Sequence, residues 1–355
     1  MARRKQRKSG LVAAVCLLLA TGPGACVSLG SETIRMQRGD YIDALARTNT
    51  EELLSNIVRA KYNEAPIFLK VKTVTAQPSI GIGGGAEIGI GGGDIPPPAA
   101  QLLPAFTYQQ SPTIFYEPVQ GKAFANELLT PTGPRPVFLM LNNGFDFSTV
   151  ADLMFLSIGD ISNARSTSVA ERTRFSSLVA AMETLLTRRD ARLGLRTDSD
   201  GQAAGFTLDF RDTAYDTAEF ATLQDALSIK EGSPRIDLVS RSSDVESGTH
   251  IPFATRSLLS ILNDLSAHVE TPADHASWVW SGSSTRSGTP PIRIRSGERP
   301  PRGANTAIRY RGHWFWIAAD DVASQNTLYL LRILFDIQAG STGGDDSIQL
   351  VVPVQ

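Results

Sequence analysis

The chain reads as an α+β protein, from two observations. Helical periodicities and strand-like alternations are interleaved along it, and several strand-like runs follow one another directly, which suits mainly antiparallel strands better than a doubly wound parallel sheet. The first 39 residues stand apart. From Asp40 a helical pattern begins, with Tyr41, Leu45, Leu53, Leu54, Ile57 and Val58 on an apolar stripe. It reads as one long helix or as two joined near Thr48-Asn49-Thr50. Pro66 closes the pattern, and Ile67 to Val74 alternates like a strand.

A Gly/Pro-rich insertion follows over 77–111, with the near-repeat Ile80-Gly81-Ile82-Gly83-Gly84-Gly85-Ala86-Glu87 and Ile88-Gly89-Ile90-Gly91-Gly92-Gly93-Asp94-Ile95. The spacing of Gly81, Gly83 and Ala86 matches a dinucleotide-binding loop, but such a loop opens a helix, whereas more glycine and then Pro96-Pro97-Pro98 come next. The segment is therefore read either as a flexible excursion, such as a floppy hairpin, or as a small-sided β-ribbon that enters a membrane or lies against a neighbouring subunit.

The remaining elements follow in order. Thr113 to Tyr116 predicts a strand, Lys122 to Leu129 a short helix, and Val137 to Leu141 a buried strand or the start of a helix. Capping side chains at Asp146 and Ser148 precede a helix through Val150, Leu153, Met154, Phe155 and Ile158. A longer helix spans Ser168 to Arg189, strands are expected at Phe206 to Phe210 and Arg235 to Val239, and a helix lies between them near Ala218 to Ile229. Ile251 to Val269 predicts a late helix with Leu258, Ile261, Leu262 and Leu265 on one face. Residues 279–303 read as a linker or loop. Residues 304–355 read as a hairpin, a helix over Ala323 to Ile337 and a final strand, packed on a body of residues 40–278.

The N-terminus carries an address. Arg3, Arg4, Lys5, Arg7 and Lys8 precede the apolar run Leu11 to Ala20, and Gly22-Pro23-Gly24-Ala25-Cys26 follows. A basic start, a short apolar segment and small residues describe an export signal, here residues 1–25, too short for a permanent span. This segment resembles a bacterial lipoprotein precursor, with Pro23 where that family usually carries Leu. The resemblance implies that Cys26 is acylated and becomes the first mature residue, heading a tether over 26–39. Val27, rather than Asp, after the cysteine implies an outer-membrane destination facing the periplasm. The body is similar to large bacterial lipoproteins only in this general respect.

Charge and cysteine usage agree with export. Residues 1–25 hold five of the 34 basic residues and none of the 36 acidic ones, so the mature chain carries a net charge of −7. No basic block outlasts the signal, and a nucleic-acid groove is not expected. Of the two cysteines, Cys16 leaves with the signal. An exported core without disulfides must stand on packing alone.

The candidate binding surface comes from tryptophan. All four, Trp278, Trp280, Trp314 and Trp316, lie in two short strand-like runs, the second within Ile308-Arg309-Tyr310-Arg311-Gly312-His313-Trp314-Phe315-Trp316-Ile317. A two-residue turn at Gly312-His313 would pair Arg311 with Trp314 and Arg309 with Trp316, a guanidinium and indole ladder opposite an apolar face of Tyr310, Phe315, Ile308 and Ile317. Such a surface suits an envelope protein partner or a glycan; alternatively residues 276–290 fold over the hairpin and the indoles cover one another.

Catalytic signals are sparse. His268, Glu270, Asp274 and His275 cluster in sequence, and an envelope hydrolase using His268 and His275 is one reading, but Pro272 breaks the spacing and a solvated helix end is the plainer account. Asp320-Asp321 reads as a helix N-cap. There is no nucleophile elbow and no phosphate loop. The expectation is a non-catalytic component without cofactor or metal, tied to the membrane by its lipid.

Overall fold

In the computed structural model, residues 29–75, 78–84, 104–110, 113–164, 167–230, 232–240, 250–279, 290–300, 303–304, 306–340 and 349–351 are described. The signal, Cys26, Trp280 and most of the glycine repeat lie outside them. The fold is α+β. The chain divides into a compact unit ending at Asn49 and one beginning at Thr50. The described part of the first is helical. Helix α1 spans Leu29–Lys61, so the helix begins well before Asp40 and takes in most of the expected tether. The stretch from Ser31 to Arg38 is proline-free and rich in good helix formers, which outweighs Gly30 and Gly39.

From Thr50 onward the architecture is layered. Strands β1 (Leu69–Thr75), β2 (Pro78–Gly84), β3 (Pro104–Gln110) and β4 (Thr113–Pro118) come first. β2 and β3 form a two-stranded antiparallel ribbon in which Ile80 to Gly84 of the repeat are paired. Helices α2 (Lys122–Leu129), α3 (Pro134–Asn142) and α4 (Phe147–Met154) follow, then β5 (Phe155–Ile158) and β6 (Ile161–Ser162). Phe155 and Ile158 thus belong to a strand, not to the expected helix. Both are fully buried and paired with β10, across a register irregularity that lies between them.

Helix α5 (Val169–Arg188) is bounded by local chemistry. The Ser168 hydroxyl accepts from the Glu171 N–H, and Arg189 closes the end in the left-handed region. Its buried face is Phe175, Leu178, Val179, Met182 and Leu185, as the helical spacing predicts. Strands β7 (Ala191–Thr197) and β8 (Ala203–Phe210), helix α6 (Ala218–Leu227), β9 (Arg235–Ser240) and β10 (His250–Thr255) complete a six-stranded sheet ordered β6-β5-β10-β9-β8-β7. β9 and β10 are parallel and the other pairs antiparallel. Gly205 in β8 is required there, since a Cβ would stand 2.1 Å from the Leu238 carbonyl oxygen.

The expected helix over Ile251 to Val269 is cut in two. Residues His250 to Thr255 alternate buried and half-buried and pair on both edges, so they are a strand, and only α7 (Leu258–Ser266) is helical. Ser257 marks the change, its hydroxyl accepting from the Ser260 N–H. The expected loop over 279–303 is also packed where described. Ile292 and Ile294 are fully buried, Ile294 bridges Val269, and β11 (Arg295–Gly297) pairs with the hairpin.

That hairpin is β12 (Thr306–Tyr310) and β13 (His313–Ile317); helix α8 (Val322–Gly340) and β14 (Gln349–Val351) end the described chain. β14 runs parallel to β1. One apolar cluster ties α1 residues Leu53, Leu54, Ile57 and Val58 to the six-stranded sheet, Phe315 and Leu331. Among the described residues, no helix is long and apolar enough to cross a membrane.

Candidate functional site

The site forms where three segments meet: the end of α1, the short turn after α7, and the tip of the β12–β13 hairpin. Each is placed by its own sequence. After Tyr62 the helix ends with Asn63 at φ 57°, and the Glu64 N–H donates to the Arg59 carbonyl at 3.0 Å. Pro272 stands before a single 3-10 turn, Ala273–His275, closed by the His275 N–H on the Pro272 carbonyl at 2.9 Å. Trp278 lies three residues further, its N–H on the His275 carbonyl, which brings the indole back over the imidazole.

The hairpin tip differs from the expected register. Arg311 and Gly312, at φ 47° and 94°, are the two turn residues, and Tyr310 pairs with His313, Arg309 with Trp314 and Ala307 with Trp316. Positive φ at both central positions matches the right-handed twist of the flanking strands, and this outweighs the strain of a non-glycine residue at Arg311. The Arg and Trp ladder therefore does not form as drawn. Arg309, Trp314 and Trp316 share one side of the hairpin, with the Trp316 ring over Gly297. Arg311 turns to the other side, toward Trp278.

Around Arg311 a charged and aromatic layer assembles. Its guanidinium donates to the Glu64 carboxylate at 2.7 Å and lies over the rings of Tyr62 at 5.1 Å and Trp278 at 5.7 Å. Arg59 pairs with the same carboxylate at 3.0 Å. The Tyr310 hydroxyl, then Arg311 and Arg59, hold the Glu64 carboxyl below the usual carboxylate range against the opposing cost of its burial.

Beneath this layer sit the titratable groups. His275 is only 2% exposed. Its Nδ1 meets the Tyr62 hydroxyl at 2.6 Å, and Trp278 stacks on its ring at 4.4 Å between centroids. Burial pushes the Tyr62 hydroxyl up to about 12, so it is neutral at physiological pH. On the outer side, Asp274 Oδ2 lies 3.0 Å from His313 Nε2 and 3.8 Å from His275 Nε2. The bond from His313 holds the Asp274 carboxyl below its ordinary value.

The four residues that cluster in sequence are thus divided. Asp274 and His275 enter this site, while Glu270 accepts from the Ser296 N–H and His268 from the Ile294 N–H at its backbone carbonyl, both on the strand side. The solvated helix end is corrected for His275, which is sealed by aromatic rings. His313 and Tyr62 were missed as partners; the aromatic flanks of Gly312-His313 were the sequence signal for the first, and nothing local pointed to the second. Of the proposed binding residues, Trp278 and Arg311 converge here. A cleft of about 750 Å³, lined by Phe145, Arg192 and Asp209 among others, shares none of these residues. No family model, curated protein or solved structure matches the chain.

Proposed function

We propose that the protein is a bacterial lipoprotein of the outer membrane, held by an acylated Cys26, whose periplasm-facing body acts without catalysis as an assembly, transport-accessory or scaffolding component of the envelope. The observation that carries this reading is the order of basic residues, ten-residue apolar run and small residues ending at Cys26. An anchor of this type restricts the body to partners at the membrane surface.

The body offers a surface suited to such a partner. Trp278 is half exposed and flanked by Arg311, and a large aromatic beside arginine is the composition of protein interface hot spots. A glycan platform fits less well, because Trp314 and Trp316 lie on the opposite side of the hairpin from Arg311. Intact mass of the protein from bacterial membranes tests the anchor. Acylation beginning at Cys26, with Cys26→Ala soluble or unprocessed, is the expected result; a mature chain free of lipid overturns it. Crosslinking from position 278 in cell envelopes is then expected to capture a discrete protein adduct, and its absence removes the scaffold reading.

A further inference from the structure

We infer that Asp274, His275 and His313 form a binding site for a divalent transition metal, with zinc the best fit. Three donor atoms, two imidazole nitrogens and one carboxylate oxygen, lie within 4.8 Å of one another. Zinc at about 2.0–2.2 Å from each ligand in a tetrahedral site places donors roughly 3.3 Å apart, so the cluster is near ligating size and needs a modest contraction. The shortest pair, His313 with Asp274, already lies at 3.0 Å.

The convergence itself is the argument. Two imidazole Nε2 atoms approach a single oxygen, Asp274 Oδ2. The His313 and Asp274 pair accounts for one of them; a cation between the three accounts for both.

The support behind His275 has the form metal sites use. A ligating histidine donates its second N–H to a fixed acceptor, which sets the tautomer and the ring plane. Here Nδ1 faces the Tyr62 hydroxyl at 2.6 Å, so with Nδ1–H donating, the lone pair of Nε2 is directed at the cluster. Trp278 stacked on one face and the Tyr62 and His313 rings edge-on fix the imidazole further. Arg311 does not oppose a cation strongly, since Glu64 pairs with it.

The donor set selects the metal class. Imidazole favours zinc, cobalt, nickel and copper over magnesium or calcium, which prefer oxygen alone. Three protein ligands leave a fourth position for water or a partner's side chain, and Asp274, with its side chain 64% exposed, gives access from solvent. This inference is independent of the anchor at Cys26.

The test uses the full chain purified without a polyhistidine tag, stripped with chelator and dialysed. Zinc titrated calorimetrically, and cobalt followed by its visible absorption, are expected to bind at about one equivalent with tetrahedral intensity. His313→Ala, at a half-buried residue, and Asp274→Asn, at an exposed one, should weaken binding at least tenfold with unchanged circular dichroism. Tyr62→Phe should weaken it roughly tenfold through His275 alone. His268→Ala should bind as the wild type does. Absence of stoichiometric binding overturns the site, as does binding that His313→Ala and Asp274→Asn leave intact.

Discussion

Two buried basic side chains in this molecule are handled in opposite ways. Arg256 is 2% exposed, and its guanidinium donates to the Asp152 carbonyl at 2.7 Å, the Leu153 carbonyl at 3.0 Å and the Asn163 carbonyl, with Asp264 at 3.9 Å. Two of those carbonyls belong to the last turn of α4, which has no helical partner for them. Asn163 adds its own amide to the Asp152 and Phe155 carbonyls. His275 is equally buried, yet its ring uses one side-chain hydroxyl at Nδ1 and turns its other nitrogen toward the exposed Asp274 carboxylate. A buried polar group whose donors are taken up mainly by backbone carbonyls is committed to the fold. One whose free atom meets two other ligand atoms at the surface retains capacity to bind.

The largest effect should come from opening the closed network. Arg256→Met should lower the unfolding free energy by about 3–5 kcal/mol, because the α4 carbonyls and Asp264 lose their common partner inside the core. Asp264→Asn should cost less, about 1–2 kcal/mol, since the carbonyl acceptors remain. Denaturant unfolding of the two variants checks the order. A reversed order would mean that the ion pair, and not the helix-end carbonyls, holds Arg256 in place.

Neither network was readable in the sequence, for different reasons. Arg256 falls between Ile251 and Val269, where apolar residues satisfy a helical period as well as a strand alternation over the first half. Pairing with β5 and β9 decides for a strand there, and pairing is not local information. The fold class was legible because it rests on interleaved periodicities, and helices such as α2 and α5 were legible because spacing and stop signals agree. The hairpin was legible as an element but not in register: Gly312 permits either turn position, and strand twist selects the second. Asp274 beside His275 was visible. Their meeting with His313 and Tyr62 depends on where a single 3-10 turn packs, which no periodicity encodes.

The two histidines sharpen the contrast at intermediate size. His275→Ala should destabilise by about 2–3 kcal/mol, because the Tyr62 hydroxyl loses its partner in a buried place and Trp278 loses the ring it stacks on. His313→Ala should cost under about 1 kcal/mol, as expected for a side-chain contact with an exposed carboxylate. Thermal unfolding without added metal measures both. Equal costs would remove the distinction between an inner and an outer leg of the site.

The smallest effect is electrostatic and has a definite sign. Glu64 has its folded carboxyl below the ordinary value of 4.5, so near that pH the unfolded chain binds more protons than the native one. The stability its charge contributes is fully present above the ordinary value and is lost as pH falls through the lower folded value. Glu64→Gln should therefore cost roughly 0.5–1 kcal/mol at neutral pH, the range of partly exposed ion pairs, and almost nothing once the carboxyl is protonated in both states. High salt should shrink the neutral-pH difference, because Arg311 is largely exposed and its pair with Glu64 is screened. A difference that persists undiminished at low pH would mean that the residue 64 side chain acts on Arg311 through shape and hydrogen bonding alone. In that case the layer over His275 is held by aromatic packing, and its charge has no part in keeping the site together.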